Sequence, residues 1–118
     1  MTMSPVLRTA FERELAQARD QERAGALREA WRHLERAHVL SQAFALPHVR
    51  VHGRMLGYGL RRLDAREVLG QLARVLVAAP GSWLGRAPLG NTGGADVGIL
   101  TPLPIPADLQ ALLDAGGP

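Results

Sequence analysis

The four histidines of this chain, His33, His38, His48 and His52, fall within one short stretch. Imidazole is the commonest protein ligand for transition-metal ions and the side chain that titrates near neutrality. His48 and His52 are four residues apart, so on a helix they share a face and offer two nitrogens to one ion. Glu35 precedes His38 by three, the Glu-x-x-His pair that carboxylate-bridged metal bundles use. Three imidazoles with one carboxylate suit zinc, iron or copper better than calcium or magnesium. There is no cysteine, which excludes a thiolate zinc site, a cysteine nucleophile and a disulfide framework. The pattern predicts a transition-metal site made of Glu35, His38, His48 and His52.

For those side chains to meet, two consecutive helices must run antiparallel. If the bend between them centres on Ala45, His38 lies seven residues before it and His52 seven after, at the same height. His48 is then one turn nearer the bend, and Glu35 one turn below His38. On the same reasoning Glu12 of the first helix and Met55 stand at the level of Glu35. Gln71, on a fourth helix, stands near Met55. These three are expected as outer partners or an extra ligand. Glu67 falls roughly 10 Å along the axis from His52 and is expected to serve as the acidic half of a capping box that Asp64 begins. Arg74 is expected level with His52. His33, five positions from His38, points elsewhere and reads as a surface residue. Each ligand has a structural alternative: a backbone carbonyl or Gln42 satisfying His38, helix-start packing for His48, and a Glu35 hydrogen bond for His52.

The elements are legible from their ends. Ser4 and Pro5 form an N-cap and first helical residue. Val6, Ala10, Phe11, Leu15 and Ala18 follow at helical spacing, and the polar run from Asp20 to Gly25 reads as a turn. A second helix carries Leu27, Ala30, Trp31, Leu34 and His38 on one stripe to about Ala43. The third is expected from Pro47 to about Arg62. Its glycines Gly53, Gly57 and Gly59 each weaken a helix by roughly 1 kcal/mol and suggest close helix–helix approach. The fourth carries Val68, Leu69, Leu72, Val75 and Leu76 as its apolar set and is expected to stop at Pro80-Gly81. Beyond it, Pro88, Gly90, Gly93, Gly94, Pro102 and Pro104 oppose long regular structure. Trp83, Leu84, Leu89, Val97, Ile99, Leu100, Leu103 and Ile105 are expected to bury by wrapping over the bundle. A short last helix opens at Pro106 and Asp108 and runs through Leu113. The expected fold is all-α: an antiparallel bundle of about four helices over residues 1–80, then an irregular wrap over 81–118, in one domain.

Composition limits the alternatives. The chain has 118 residues, 47% of them hydrophobic and 21% charged, enough apolar content for one core. The net charge is +3, all of its basic side chains are arginine, and the pI is ≈ 10.9. Most arginines alternate with acids, as in Glu12-Arg13-Glu14, so solvated helix faces are expected rather than a nucleic-acid-binding face. The longest weakly charged stretch, Val75 to Gly85, is broken by Pro80 and Gly81 and is too short to span a bilayer. No signal-peptide core precedes Arg8, so the expected compartment is the cytoplasm. The segment from Gly90 to Asp96 is rich in glycine, but no lysine follows it; it reads as a tight turn, not a phosphate cradle.

Several blocks, AWRHLERAHVLSQ, HVRVHGRML, EVLGQLARV, PLGNTGGADV and PLPIP, appear in order. Together they resemble a bacterial domain-of-unknown-function family numbered three-seven-zero-three, from about Ala26 to Leu112. The resemblance implies a compact bacterial domain whose pattern includes the positions of Glu35, His38, His48 and His52. It implies no activity. Leu103 stands where that pattern has methionine.

The expectation is a transition-metal-binding helical protein, serving metal handling or metal-dependent redox chemistry, with a homodimer allowed and no nucleic-acid or membrane partner. The alternative is a non-catalytic interaction module, since the first two helices resemble a single tetratricopeptide-type hairpin. That alternative predicts an exposed apolar patch around Phe11, Leu15 and Trp31.

Overall fold

Ser4 opens the first helix, its hydroxyl accepting from the Leu7 N–H at 3.3 Å, with Pro5 as the first helical residue. The computed structural model describes residues 2–83, 91–95 and 102–116, and the side chains of 77–83 are not among what it describes. The elements are α1 (Pro5–Arg23), α2 (Leu27–Ser41), α3 (Ala45–Arg61), α4 (Ala65–Trp83) and α5 (Ala107–Gly116). No strand occurs among the described residues. The fold is an all-α bundle closed by a short last helix.

The ends differ from expectation by a turn or less. α1 runs to Arg23, and the bend is confined to Ala24 and Gly25, the latter at φ +79°. α3 begins at Ala45 rather than Pro47, because Phe44 provides the extended residue before it. α4 passes the expected stop at Pro80 and ends at Trp83. Leu63, 91% exposed, takes φ 55° in the bend between α3 and α4.

Leu7, Phe11, Leu15 and Ala18 recur at three- and four-residue spacing and form the buried stripe of α1. They meet Leu34 and Ala37 of α2, Val51 and Met55 of α3, and Leu109 of α5 in one core. Full burial of a Leu or Phe side chain is worth about 1.5–3 kcal/mol, so this cluster is the main source of stability. The patch expected around Phe11 and Leu15 is therefore not a surface: both are buried, and Trp31, half-buried, packs on Tyr58.

α2 is central: α1 packs on it, α3 packs on it, and α5 touches both α1 and α2. α4 packs only on α3 among the described helices. Of the α3 glycines, Gly59 makes the close approach; a Cβ there would meet Val68 Cγ2 at 3.3 Å. Gly53 faces open space. α4 turns in a way the apolar pattern does not suggest. Gln71 and Arg74 are buried, while Leu69, Leu72 and Leu76 are exposed.

Of the residues expected to wrap the bundle, Leu103 and Ile105 are half-buried, and Ile105 packs against the core. Leu84, Leu89, Val97, Ile99 and Leu100 lie outside the described residues, as does the Trp83 side chain. Arg36 of α2 pairs with Asp108 of α5 and ties the last helix down. No described helix is long and apolar enough to cross a membrane.

Candidate metal centre

The α2–α3 hairpin brings His38, His48 and His52 together in the interior, each no more than 6% exposed. Their Nε2 atoms form a near-equilateral triangle. His38 to His48 is 3.0 Å, His38 to His52 is 3.0 Å, and His48 to His52 is 3.2 Å. The rings meet edge-on or tilted, with centroids 4.6 to 4.9 Å apart. Rings that merely fill a core do not all aim the same atom at one point.

The opposite nitrogens decide what those Nε2 atoms carry. His38 Nδ1 lies 2.6 Å from the backbone carbonyl of Asn91. A carbonyl only accepts, so His38 Nδ1 carries the proton and its Nε2 is a bare lone pair. His52 Nδ1 lies 2.6 Å from Gln71 Oε1. The orientation of that amide is fixed, because its nitrogen donates to Glu67 Oε2 at 2.7 Å and to the Gly93 carbonyl at 2.6 Å. Both of those are acceptors, so Gln71 presents its oxygen to His52, and His52 Nδ1 must donate. Two neutral imidazoles thus point lone pairs at each other.

The loop 91–95 is the lid of this arrangement. Asn91 Oδ1 accepts from the Gly93 N–H at 2.9 Å, closing a tight turn. Gly93 sits at φ +86°, and a Cβ there would lie 2.5 Å from His38 Cδ2. Both the backbone conformation and the ring behind it demand glycine. Glu67 holds the far end of the loop through the Ala95 N–H, at 3.0 and 3.1 Å. Asp64 caps α4 by accepting from the Glu67 N–H at 3.0 Å. The Glu67 carboxylate, however, does not complete a capping box. It anchors Gln71 and the loop, and it reaches the histidines through that amide.

Electrostatics keep the His38 and His52 imidazoles neutral. Burial, then the neighbouring His52 and His48, hold the His38 pKa well below its ordinary value, against the Asn91 carbonyl, which raises it. Burial pushes His52 down to about 4, with Gln71 opposing and Arg74 assisting. Arg74 is itself buried and donates to the Gly70 carbonyl at 3.2 Å. Neutral imidazole is the form that binds metal.

Among the described residues, the group whose ligand atoms lie within 4.8 Å of one another is His38, His48 and His52. Glu35 is half-buried and stands outside it. Met55 is fully buried in the apolar core. Glu12 points outward and pairs with Arg50 at 2.5 Å. His33 pairs with Glu14 at 2.6 Å across the α1–α2 hairpin. The residues that sequence reasoning did not bring to the site are Asn91, Gly93 and Glu67. The Asn-x-Gly spacing signals a tight turn, but nothing local says that the turn docks on His38.

A model of the family described as "Protein of unknown function (DUF3703)" matches residues 5–113. No curated protein and no solved structure matches the chain. The chain belongs to this family.

Proposed function

We propose that this DUF3703 member binds a transition-metal ion through the Nε2 atoms of His38, His48 and His52. The observation that carries the reading is the pair of bare lone pairs 3.0 Å apart on His38 and His52, in a setting that disfavours a proton between them. A cation is what relieves that repulsion. Two nitrogens held on a tetrahedral ion with bonds of about 2.0–2.1 Å are separated by about 3.3 Å. The observed triangle is within a few tenths of an ångström of that. The Nδ1 atoms of His38 and His52 each donate to a fixed oxygen, the outer arrangement that orients metal-ligating histidines.

Three imidazole nitrogens without sulfur favour zinc, copper or iron over calcium and magnesium. Three histidines with a fourth position open to water is the donor set of catalytic zinc centres, where the ion supplies Lewis acidity and an activated water. Metal handling and metal-dependent redox chemistry are both consistent with this donor set. Glu35 stays in the proposal as a carboxylate near His38, and its loss is expected to weaken binding less than loss of any of the three imidazoles.

The test is metal analysis of untagged protein, followed by titration of the metal-free form with zinc, copper and iron(II). A ligand that binds only the native state stabilises it by about 2.7 kcal/mol at a hundredfold excess over its Kd. That gain should appear in the wild type and in His33→Ala, and vanish in His38→Ala and His52→Ala. If no ion copurifies and none of the three shifts the wild-type melting curve, the reading is wrong.

A further inference from the structure

The groove between α1 and α3 holds a second cluster of different chemistry, independent of the histidines. Two ion pairs cross it. Glu12 meets Arg50, 38 positions on, and Glu22 meets Arg61, 39 positions on. Both pairs read the same way along the chain, so α1 and α3 are parallel here with one register. That register places Arg54 against Leu15 and Ala16, with Arg19 one turn further. The carboxylate that acts on Arg54 is Glu12, which is already engaged by Arg50.

The consequence is a run of guanidinium groups without counter-ions. Arg54 is half-buried. Among the described residues, Arg19, Arg23 and Arg54 make no hydrogen bond or ion pair. The groove widens at this point into an open pocket of ≈ 530 Å³ floored by Ala18 and Leu34. Five arginines line it against the single carboxylate of Glu22, which Arg61 and Arg62 already engage. Burial, then Arg19 and Arg50, lower the Arg54 pKa from its ordinary value, with Glu12 opposing. Guanidinium stays charged regardless, so the cluster is a standing destabilisation that an anion would relieve.

We propose that this pocket binds a small multivalent oxyanion of the phosphate class, with Arg54 and Arg19 as its principal partners. The planar guanidinium fork matches phosphate oxygens two at a time. The volume lies within the range of small-molecule sites, ~300–1,000 Å³, and accommodates a phosphate or pyrophosphate group. The arginines converge in a concavity, not along an open stripe, which selects a compact anion over a nucleic-acid backbone.

The experiment is calorimetric titration of the full-length, metal-free protein with pyrophosphate and orthophosphate, against chloride at matched ionic strength. Wild type and the exposed control Arg13→Gln should show saturable pyrophosphate binding. Arg54→Gln should lose roughly tenfold or more, the scale of one charge-assisted contact. Without anion, Arg54→Gln should melt no lower than wild type, because it removes repulsion and no contact. The proposal is overturned by heats no larger than those of chloride, by full affinity in Arg54→Gln, or by equal losses in Arg54→Gln and Arg13→Gln. Saturation by a short single-stranded oligonucleotide at lower concentration than pyrophosphate would overturn it in favour of nucleic acid.

Discussion

α1 and α4 have the same length, 19 residues each, and opposite insides. α1 buries Leu7, Phe11 and Leu15 and shows charge to solvent. α4 buries Gln71 and Arg74 and leaves Leu69, Leu72 and Leu76 at 68, 47 and 79% exposure. The first helix is held by apolar surface removed from water, a force with no direction. The fourth is held on the bundle by directed hydrogen bonds that end on His52 and the 91–95 loop. One region supplies stability; the other supplies orientation at the imidazoles, at the cost of an apolar face left outward.

The contrast can be broken at its stable end first. Phe11→Ala should cost about 3–5 kcal/mol of unfolding free energy, read from denaturant melts. The metal content of the protein that remains folded should not change. A loss of metal binding at full folding would show that the two regions are not separable.

The next effect in size is that of pH. An unfolded histidine has a pKa near 6.5, whereas His52 in the fold is pushed down to about 4. Between those values the unfolded chain holds a proton that the native chain does not. The stability of the metal-free protein should therefore fall as pH is lowered from about 6.5 to about 4, by on the order of 3 kcal/mol from this group. Melts in chelator across that window measure it. A flat profile would mean that the imidazoles are solvated and the polar inside of α4 is not dry.

The smallest and sharpest comparison sets Gln71→Leu beside Leu72→Gln, neighbours on one helix. Removing the amide takes the acceptor from His52 Nδ1 and a donor from Glu67 and the Gly93 carbonyl, at about 1–3 kcal/mol, and should weaken metal binding about 10–100-fold. Making the exposed leucine polar should stay within about 0.5 kcal/mol and leave metal binding intact. Equal effects would show that α4 buries its leucines in solution.

The helices and the convergence of three histidines are legible in the sequence because both rest on local spacing. Ser4-Pro5, Asp64 and the seven-before, seven-after symmetry of His38 and His52 are readable without any tertiary information. The orientation of α4 is not. Val68, Leu69, Leu72, Val75 and Leu76 fall within about 120° of azimuth, so apolar periodicity selects one face, whereas the structure buries Gln71 and Arg74 beside it and leaves Leu69, Leu72 and Leu76 exposed. The deciding groups are Glu67 and Gln71, whose partners lie on α3 and in the 91–95 loop. Axial height places Glu67 away from the ligand positions but says nothing of a carboxylate acting through an intervening amide. Height also fails for Glu12 and Met55, which match the expected level while pointing outward and into the apolar core.

The Asn91 carbonyl that fixes His38 lies 53 positions further along the chain. During synthesis, α2 and α3 emerge and pair well before that carbonyl exists. Until then the His38 ring is free to swing and to choose either tautomer. Contacts this distant form late, so the hairpin first pairs with its rings unfixed. The arriving 91–95 turn then locks the His38 ring from behind.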